Sequence, residues 1–249
     1  MTQPDVLVQL DNVYTAYEGA DRPTLADISL TVGKGEYVVI GGPNGAGKTT
    51  LLETINGMLP ITHGKAQVCG HDVQGNGVGV RCRVGYLLQN FAFDPLTPFT
   101  VEEVIVMGRY GTIGLFHKPK KEDFAAARNA MILLGIEDLG NRPIGQLSGG
   151  QQQKVLLAQN LARNPKLLLL DEPFSNLDMF AREYINKVLA DLVASGISVL
   201  IVSHAFDDLP DCPVRVVVMQ NGKIILNRNC PPKEVEHTVR TAGSALSDA

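Results

Sequence analysis

Hydrophobic and polar positions along this chain follow two periods that trade places. Ile28, Leu30 and Val32 alternate with polar neighbours, the pattern of a strand with one buried face. Gly33-Lys34-Gly35 turns the chain, and residues 36–40 predict a second strand running into a glycine-rich stretch. From Lys48 the spacing becomes helical through Leu51, Leu52 and Ile55, ending at Gly57 and Pro60. Thr100-Val101-Glu102-Glu103 is a capping box that opens a short helix through Val106. Phe124, Ala127, Met131 and Leu134 mark another helix, closed by Gly135. Residues 151–163 predict a helix with Val155, Ala158 and Ala162 on one face, stopped before Pro165. Uniform apolar runs at 167–170 and Ser198–Val202 flank a helix at about 180–194. Runs without alternation suit strands covered on both faces, so strands alternating with helices here predict an α/β fold with a buried parallel sheet. Residues 214–219, Asn221-Gly222 and residues 223–226 predict a β-hairpin on a type I′ turn. After Val235 no pattern remains, and residues 236–249 are expected to form a disordered tail. No internal repeat is visible. The mostly helical stretch at about 90–146 reads as a subdomain inserted into one domain, residues 1–235.

Three segments carry chemistry. Gly42-Pro43-Asn44-Gly45-Ala46-Gly47-Lys48-Thr49 is a full G-x-x-x-x-G-K-[ST] phosphate loop, set between a strand and a helix as such a loop requires. Its glycines let backbone N–H groups converge on phosphates without a Cβ in the way, and the helix from Lys48 adds its positive end. Lys48 is placed to reach the β- and γ-phosphates, and the Thr49 hydroxyl to coordinate Mg²⁺. Asp171-Glu172 ends the buried 167–170 strand, where an unpaired carboxylate is costly. A magnesium ion, directly or through water, is the partner expected for Asp171. Glu172 stands where it can polarise a water for in-line attack on a γ-phosphate. Leu147-Ser148-Gly149-Gly150-Gln151 opens a helix with a hydroxyl and unhindered N–H groups, either an ordinary N-cap or a second anion site. A second anion site is hard to explain with one ATP on one chain. It is readily explained if it reaches a γ-phosphate held by another copy.

Composition narrows the partners. With 249 residues, 45% of them apolar, the chain can bury a substantial core. Its 22 basic and 26 acidic residues give a net charge of −4, which argues against nucleic acid as the main partner. Lys118-Pro119-Lys120-Lys121 is basic but reads as a solvated turn. No stretch approaches the roughly 18–20 apolar residues of a bilayer span, and residues 1–5 lack a signal-peptide pattern. A soluble, cytoplasmic protein is expected, with any membrane work done through a partner. Cys69, Cys82, Cys212 and Cys230 are scattered without a C-x-x-C pair and are expected to be ordinary reduced thiols.

Over about residues 6–235 the sequence resembles ATP-binding cassette (ABC) ATPases. Leu147 to Gln151 matches the LSGGQ signature of that family. Gln89, after the Gly85-Tyr86-Leu87-Leu88 strand, matches its Q-loop, Ser175-Asn176-Leu177-Asp178 its D-loop, and Ser203-His204 its switch histidine. Tyr17 stands where the family places an aromatic that stacks on adenine. The resemblance implies a P-loop NTPase fold with a mainly parallel core, an N-terminal antiparallel β-subdomain and an inserted helical subdomain. It implies a head-to-tail homodimer closing on two ATPs, each between the phosphate loop with Thr50 on one protomer and Ser148, Gly149, Gly150 and Gln151 of the other. Glu172 would be the general base, and His204 would hold the γ-phosphate and attacking water. Asp178 would communicate across the interface. Gln89 would sense magnesium, with Thr49 and Asp171, and link the site to the helical subdomain. The chain departs from the family at Gln152, where many relatives carry Arg or Lys and which is read as outside the chemistry. Pro210 shortens the helix expected after His204, and Asn229-Cys230-Pro231-Pro232 is an unusual ending before the closing helix at Glu234-Val235.

Within the family, Met107-Gly108-Arg109-Tyr110-Gly111 and Gly114-Leu115-Phe116 resemble most closely the ATPases of bacterial metal-ion importers for manganese, zinc or iron. That implies integral-membrane permease subunits, an extracytoplasmic substrate-binding protein, and a peripheral location on the cytoplasmic face of the membrane. The siderophore and cobalamin importers have related sequences. The alternative is a soluble ABC ATPase of iron–sulfur cluster assembly, with no permease partner.

Overall fold

The computed structural model describes residues 6–19, 22–89, 93–114, 116–203, 206 and 209–244. β1 (Val6–Thr15) and β2 (Leu25–Gly33) pair antiparallel, with Ile28, Leu30 and Val32 buried as their alternation predicts. β3 (Tyr37–Gly41) leaves this sheet, and the chain passes through the glycine-rich loop into α1 (Lys48–Ile55). β4 (Ile61–Val68) and the short β5 (His71–Asp72) return to the first sheet, giving the order β2-β1-β4-β5. After α2 (Gly77–Arg81), β6 (Val84–Leu87) starts the far edge of a second sheet. Next come α3 (Val101–Met107), α4 (Tyr110–Ile113), α5 (Lys121–Leu133) and α6 (Gly149–Leu161). The chain then alternates through β7 (Leu167–Asp171), α7 (Met179–Ala194) and β8 (Ser198–Val202), and closes with β9 (Val214–Gln220), β10 (Lys223–Cys230) and α8 (Val235–Ser244).

The six-stranded sheet has the order β10-β9-β3-β8-β7-β6, parallel throughout except for the β9–β10 hairpin. Every residue of β3, β7 and β8 is buried, because both faces are covered. Val38, Ile40, Leu167, Leu169 and Leu200 join one core with α1 and the antiparallel sheet. Val39, Leu168, Leu170, Val199 and Ile201 join the other, with α3 and α5 to α8. Period-2 alternation thus sends neighbouring apolar side chains into opposite cores. Asn221 and Gly222 have φ of 49° and 73°, the left-handed pair that a type I′ turn demands.

Two expectations are corrected. Residues 236–244 are not an unstructured tail, since α8 docks on the sheet. Val235, Thr238, Val239 and Ala242 form its inward stripe, and a Cβ on Gly41 would meet Val239 at 2.7 Å. The Thr238 hydroxyl accepts from Arg228 at 2.8 Å, which explains how a polar residue can sit in that stripe. Residues 245–249 lie outside the described residues. In α5 Ala127 and Met131, with Leu134 just past its end, are buried as expected, but Phe124 is exposed and Asp123 is buried in its place. Asp123 accepts from the Lys120 backbone N–H at 2.8 Å and from Arg109 Nε at 2.9 Å, and these bonds carry a carboxylate inside. The basic turn at Lys118 to Lys121 is largely exposed.

Candidate functional site

The phosphate loop is shaped by what lies outside it. Gly42 has φ 134°, and a Cβ there would run into the Met219 carbonyl of β9, so only glycine lets the loop pass. Gly45 has φ 77°, and no atom lies within 4 Å of where its Cβ would be, leaving its backbone approachable by a phosphate. Gly222 in the β9–β10 turn donates its N–H to the Ala46 carbonyl at 3.0 Å and accepts from Ala26 at 2.9 Å, bracing the loop from behind. Gly42→Ala is expected to cost roughly 1–3 kcal/mol by forcing an occupied, strained position. A melting curve indistinguishable from that of the native chain would refute that account.

The loop delivers its charged residues to one cavity of about 570 Å³, lined by Asn44, Lys48, Thr49, Gln89, Asp171 and Glu172 among others. Lys48 is buried and donates to the Gly42 and Pro43 carbonyls, both at 2.9 Å, which uses two of its three donors. Burial draws its ammonium below its usual pKa, and the Glu172 and Asp171 carboxylates pull it back up. Thr49 Oγ1 donates to Asp171 Oδ2 at 2.7 Å. Asp171 Oδ1 is buried with no hydrogen-bond partner, and burial raises the carboxyl above its usual range against the opposing bond from Thr49. An orphaned carboxylate oxygen beside a hydroxyl is a hard-oxygen donor set, so these residues fit a magnesium ion. Glu172 follows with φ 48°, a left-handed conformation that is costly for a non-glycine residue and typical of functional positions. Its N–H donates to the Val202 carbonyl at 3.0 Å, extending the β7–β8 ladder by one bond before the chain turns away.

Tyr17 is brought to the same loop. Its hydroxyl donates to Glu53 Oε2 at 2.7 Å and lies 3.3 Å from Thr50 Oγ1, while 44% of the residue stays exposed. The phenol is tethered and part of the residue remains open, as a platform for a planar base must be.

The signature segment builds a separate place. Ser148 caps α6, accepting from Gln151 N–H at 3.3 Å and donating its own N–H to Gln151 Oε1 at 3.1 Å. Its hydroxyl oxygen serves the helix as an acceptor while its O–H remains able to donate, so the hydroxyl and the helix-opening amides are the groups suited to an anion. Ser148, Gly149, Gly150, Gln151 and Asp178 line a cavity of about 600 Å³ that shares no residue with the first. A Cβ on Gly150 would lie 3.0 Å from the Asn176 carbonyl, so the signature turn packs tightly on the D-loop. Asp178 caps α7 by accepting from Ala181 N–H at 2.8 Å. His204 lies outside the described residues.

Sequence reasoning missed Glu53, which anchors Tyr17, and Thr24 and Lys154, which line the two cavities. Each is an ordinary polar residue that no motif marks, and the partner of Glu53 is remote in sequence. Among the described residues no three His, Cys, Asp or Glu side chains gather as a metal cage, and no helix is long and apolar enough to cross a membrane.

Comparison with known proteins now defines the class. The family model described as ABC transporter matches residues 25–175. The manganese transport system ATP-binding protein MntB of Bacillus subtilis (strain 168) is 38% identical, covering 96% of this chain and 94% of that protein. The zinc transport system ATP-binding protein TroB of Treponema pallidum (strain Nichols) is 37% identical, covering 88% and 79%. The taurine import ATP-binding protein TauB of Escherichia coli O6:H1 is also 37% identical, covering 87% and 80%. Among solved structures, a nucleotide-free ATP-binding cassette from an ABC transporter matches with a TM-score of 0.79 at 26% identity, covering 95% of each chain. A dimeric cassette in a post-hydrolysis state bound to ADP and Pi matches with a TM-score of 0.75 at 27% identity, covering 91% of this chain and 99% of that one.

The chain belongs to the ABC transporter family of ATP-binding cassettes. It is an ATP-hydrolysing subunit of a transporter, with the cassette fold.

Proposed function

We propose that this ATPase powers import of a metal ion (manganese, zinc or iron) or a metal chelate, by closing as a head-to-tail homodimer on a membrane permease. The observation that supports the cargo class most is the near full-length match to a manganese transport ATPase, joined by a zinc one. The taurine relative is the reason to test cargo directly.

Two disjoint cavities support composite sites, in which the phosphate loop of one protomer meets the signature turn of the other. The residues from Gly42 to Thr50 hold the phosphates of ATP, Tyr17 stacks on adenine, and Lys48 turns its remaining donor to the β- and γ-phosphates. Thr49, Asp171 and Gln89 would hold magnesium, which when bound supplies charge neutralisation at the phosphate oxygens. Glu172 takes the proton of the attacking water as its oxygen bonds to the γ-phosphorus, and the bond to the bridging oxygen breaks to give ADP and phosphate. By resemblance, His204 holds the γ-phosphate and the water, and Asp178 carries the state of one site to the other. Tighter binding of ATP to the closed dimer supplies the work.

Leu88 and Phe99 are exposed at the rim of a cavity of about 390 Å³ lined by Leu87, Phe93, Val104 and Met107. This apolar groove follows directly on the strand that leads to Gln89. It suits the apolar face of a short permease helix, which would feel the state of the nucleotide site through that connection. The protein then works at the cytoplasmic face of the membrane, with an extracytoplasmic binding protein supplying the cargo.

The test is capture of the Glu172→Gln chain from membranes solubilised in mild detergent with ATP. A multi-span permease is expected, together with a metal-binding receptor protein. Phe99→Asp should lose the permease while soluble ATPase activity persists. Recovery of a soluble scaffold without any membrane protein would overturn the transporter partner, and a permease travelling with an organic-solute receptor would overturn the metal cargo.

A further inference from the structure

Gln152 departs from the family pattern at a position read from sequence as outside the chemistry. The structure gives it a job. It is 6% exposed in the second turn of α6, and its amide is engaged on both sides. Nε2 donates to the Ile144 carbonyl at 3.2 Å and to the Leu147 carbonyl at 3.3 Å, while Oε1 accepts the Phe93 N–H at 3.2 Å. Leu147 immediately precedes Ser148, and Phe93 lies just beyond Gln89 in the chain. One side chain therefore joins the segment leaving Gln89 to the segment entering the signature turn. The two segments also touch farther along, where Ile144 N–H donates to the Phe99 carbonyl at 2.9 Å and Thr100 bridges Pro143.

The chemistry of the tie is specific to a primary amide, which carries donors and an acceptor on one planar group. Lys or Arg could serve the two carbonyls but could accept nothing from Phe93. Glu could accept from Phe93 but would set a carboxylate against two carbonyl oxygens. Burial excludes the water that would otherwise substitute for a lost partner, so the geometry is held by the amide itself.

We propose that Gln152 is a positioning residue that ties the signature turn to Phe93, four residues along the chain from Gln89, so that a shift at either is felt at the other. Nucleotide engaged at Gln89 in one protomer then sets the signature turn that the same protomer offers to its partner's ATP. This coupling rests on the composite-site reading above.

Gln152→Met keeps the volume and stem of the side chain and removes the amide; Gln152→Lys keeps donors and removes the acceptor. Both are expected to lower kcat about 10-fold or more through misplaced signature amides. Affinity for a fluorescent ATP analogue should stay near that of the native chain, the melting temperature should fall by a few degrees because the Phe93 N–H loses its acceptor, and the Hill coefficient for ATP should fall toward about 1. In the Glu172→Gln background, ATP should give a dimer on gel filtration, and adding Gln152→Met should return it to monomer. Native kcat and cooperativity in Gln152→Met, or native behaviour in Gln152→Lys, would overturn the coupling. So would a loss of kcat matched by an equal loss of nucleotide affinity, which would mark a purely structural residue. Failure of Glu172→Gln alone to dimerise with ATP would instead bring down the composite-site reading and the coupling with it.

Discussion

Glu172→Gln is expected to slow ATP turnover by about 10²–10⁴-fold, the range that a general base contributes, while ATP stays bound. The substitution keeps the shape and hydrogen-bonding reach of the side chain but removes its capacity to take a proton. It leaves the phosphate loop, the Lys48 contacts and the Thr49–Asp171 bond untouched. Binding and chemistry should therefore separate: kcat collapses, nucleotide affinity does not. Single-turnover hydrolysis with radiolabelled ATP reads the first, and filter binding the second. Rapid hydrolysis by the variant would remove Glu172 from its assigned role.

Lys48→Ala should do the reverse and act on binding. The ammonium is buried, and two of its donors already fix the Gly42 and Pro43 carbonyls, so it both shapes the loop and offers charge to the phosphates. A charge-assisted hydrogen bond is worth about 1.5–3 kcal/mol, which translates to a loss of roughly 10- to 100-fold in ATP affinity. Isothermal titration at fixed magnesium checks it. Unchanged affinity would count against the phosphate-loop assignment, whereas a parallel loss for ADP and ATP would place the contact at the phosphates they share.

Local sequence carried the parts of the structure whose cause is local. The phosphate loop and the Asn221-Gly222 turn were legible because particular backbone conformations select particular residues. The strands at Leu167–Asp171 and Ser198–Val202 were legible because burial on both faces leaves no polar alternation. β1 gave no such pattern. Asn12 sits at φ 48° beside a register shift between Leu10 and Val13, and the bulge resets the alternation partway along the strand. β10 runs to Cys230, past the expected end at 226, because its edge position tolerates Asn227, Arg228 and Asn229, all of them exposed. α8 escaped because its inward stripe is small and includes a threonine whose partner, Arg228, comes from another element. The same distinction divides the site. Lys48, Thr49, Asp171 and Glu172 announce themselves by motif, whereas Glu53 and Gln152 act on partners far off in sequence, where only the folded chain brings them into contact.

The brace behind the phosphate loop has a consequence for the birth of the protein. Met219 and Gly222 supply the surface on which Gly42 and Ala46 rest, yet the loop itself is synthesised far earlier. A ribosome carrying the N-terminal half displays the whole phosphate loop before its brace exists, held only by its own bonds and the Lys48 contacts. Full-strength ATP capture by the growing polypeptide is thereby expected to wait until the last hairpin has emerged and docked, and a chain ended before β9 should bind ATP weakly.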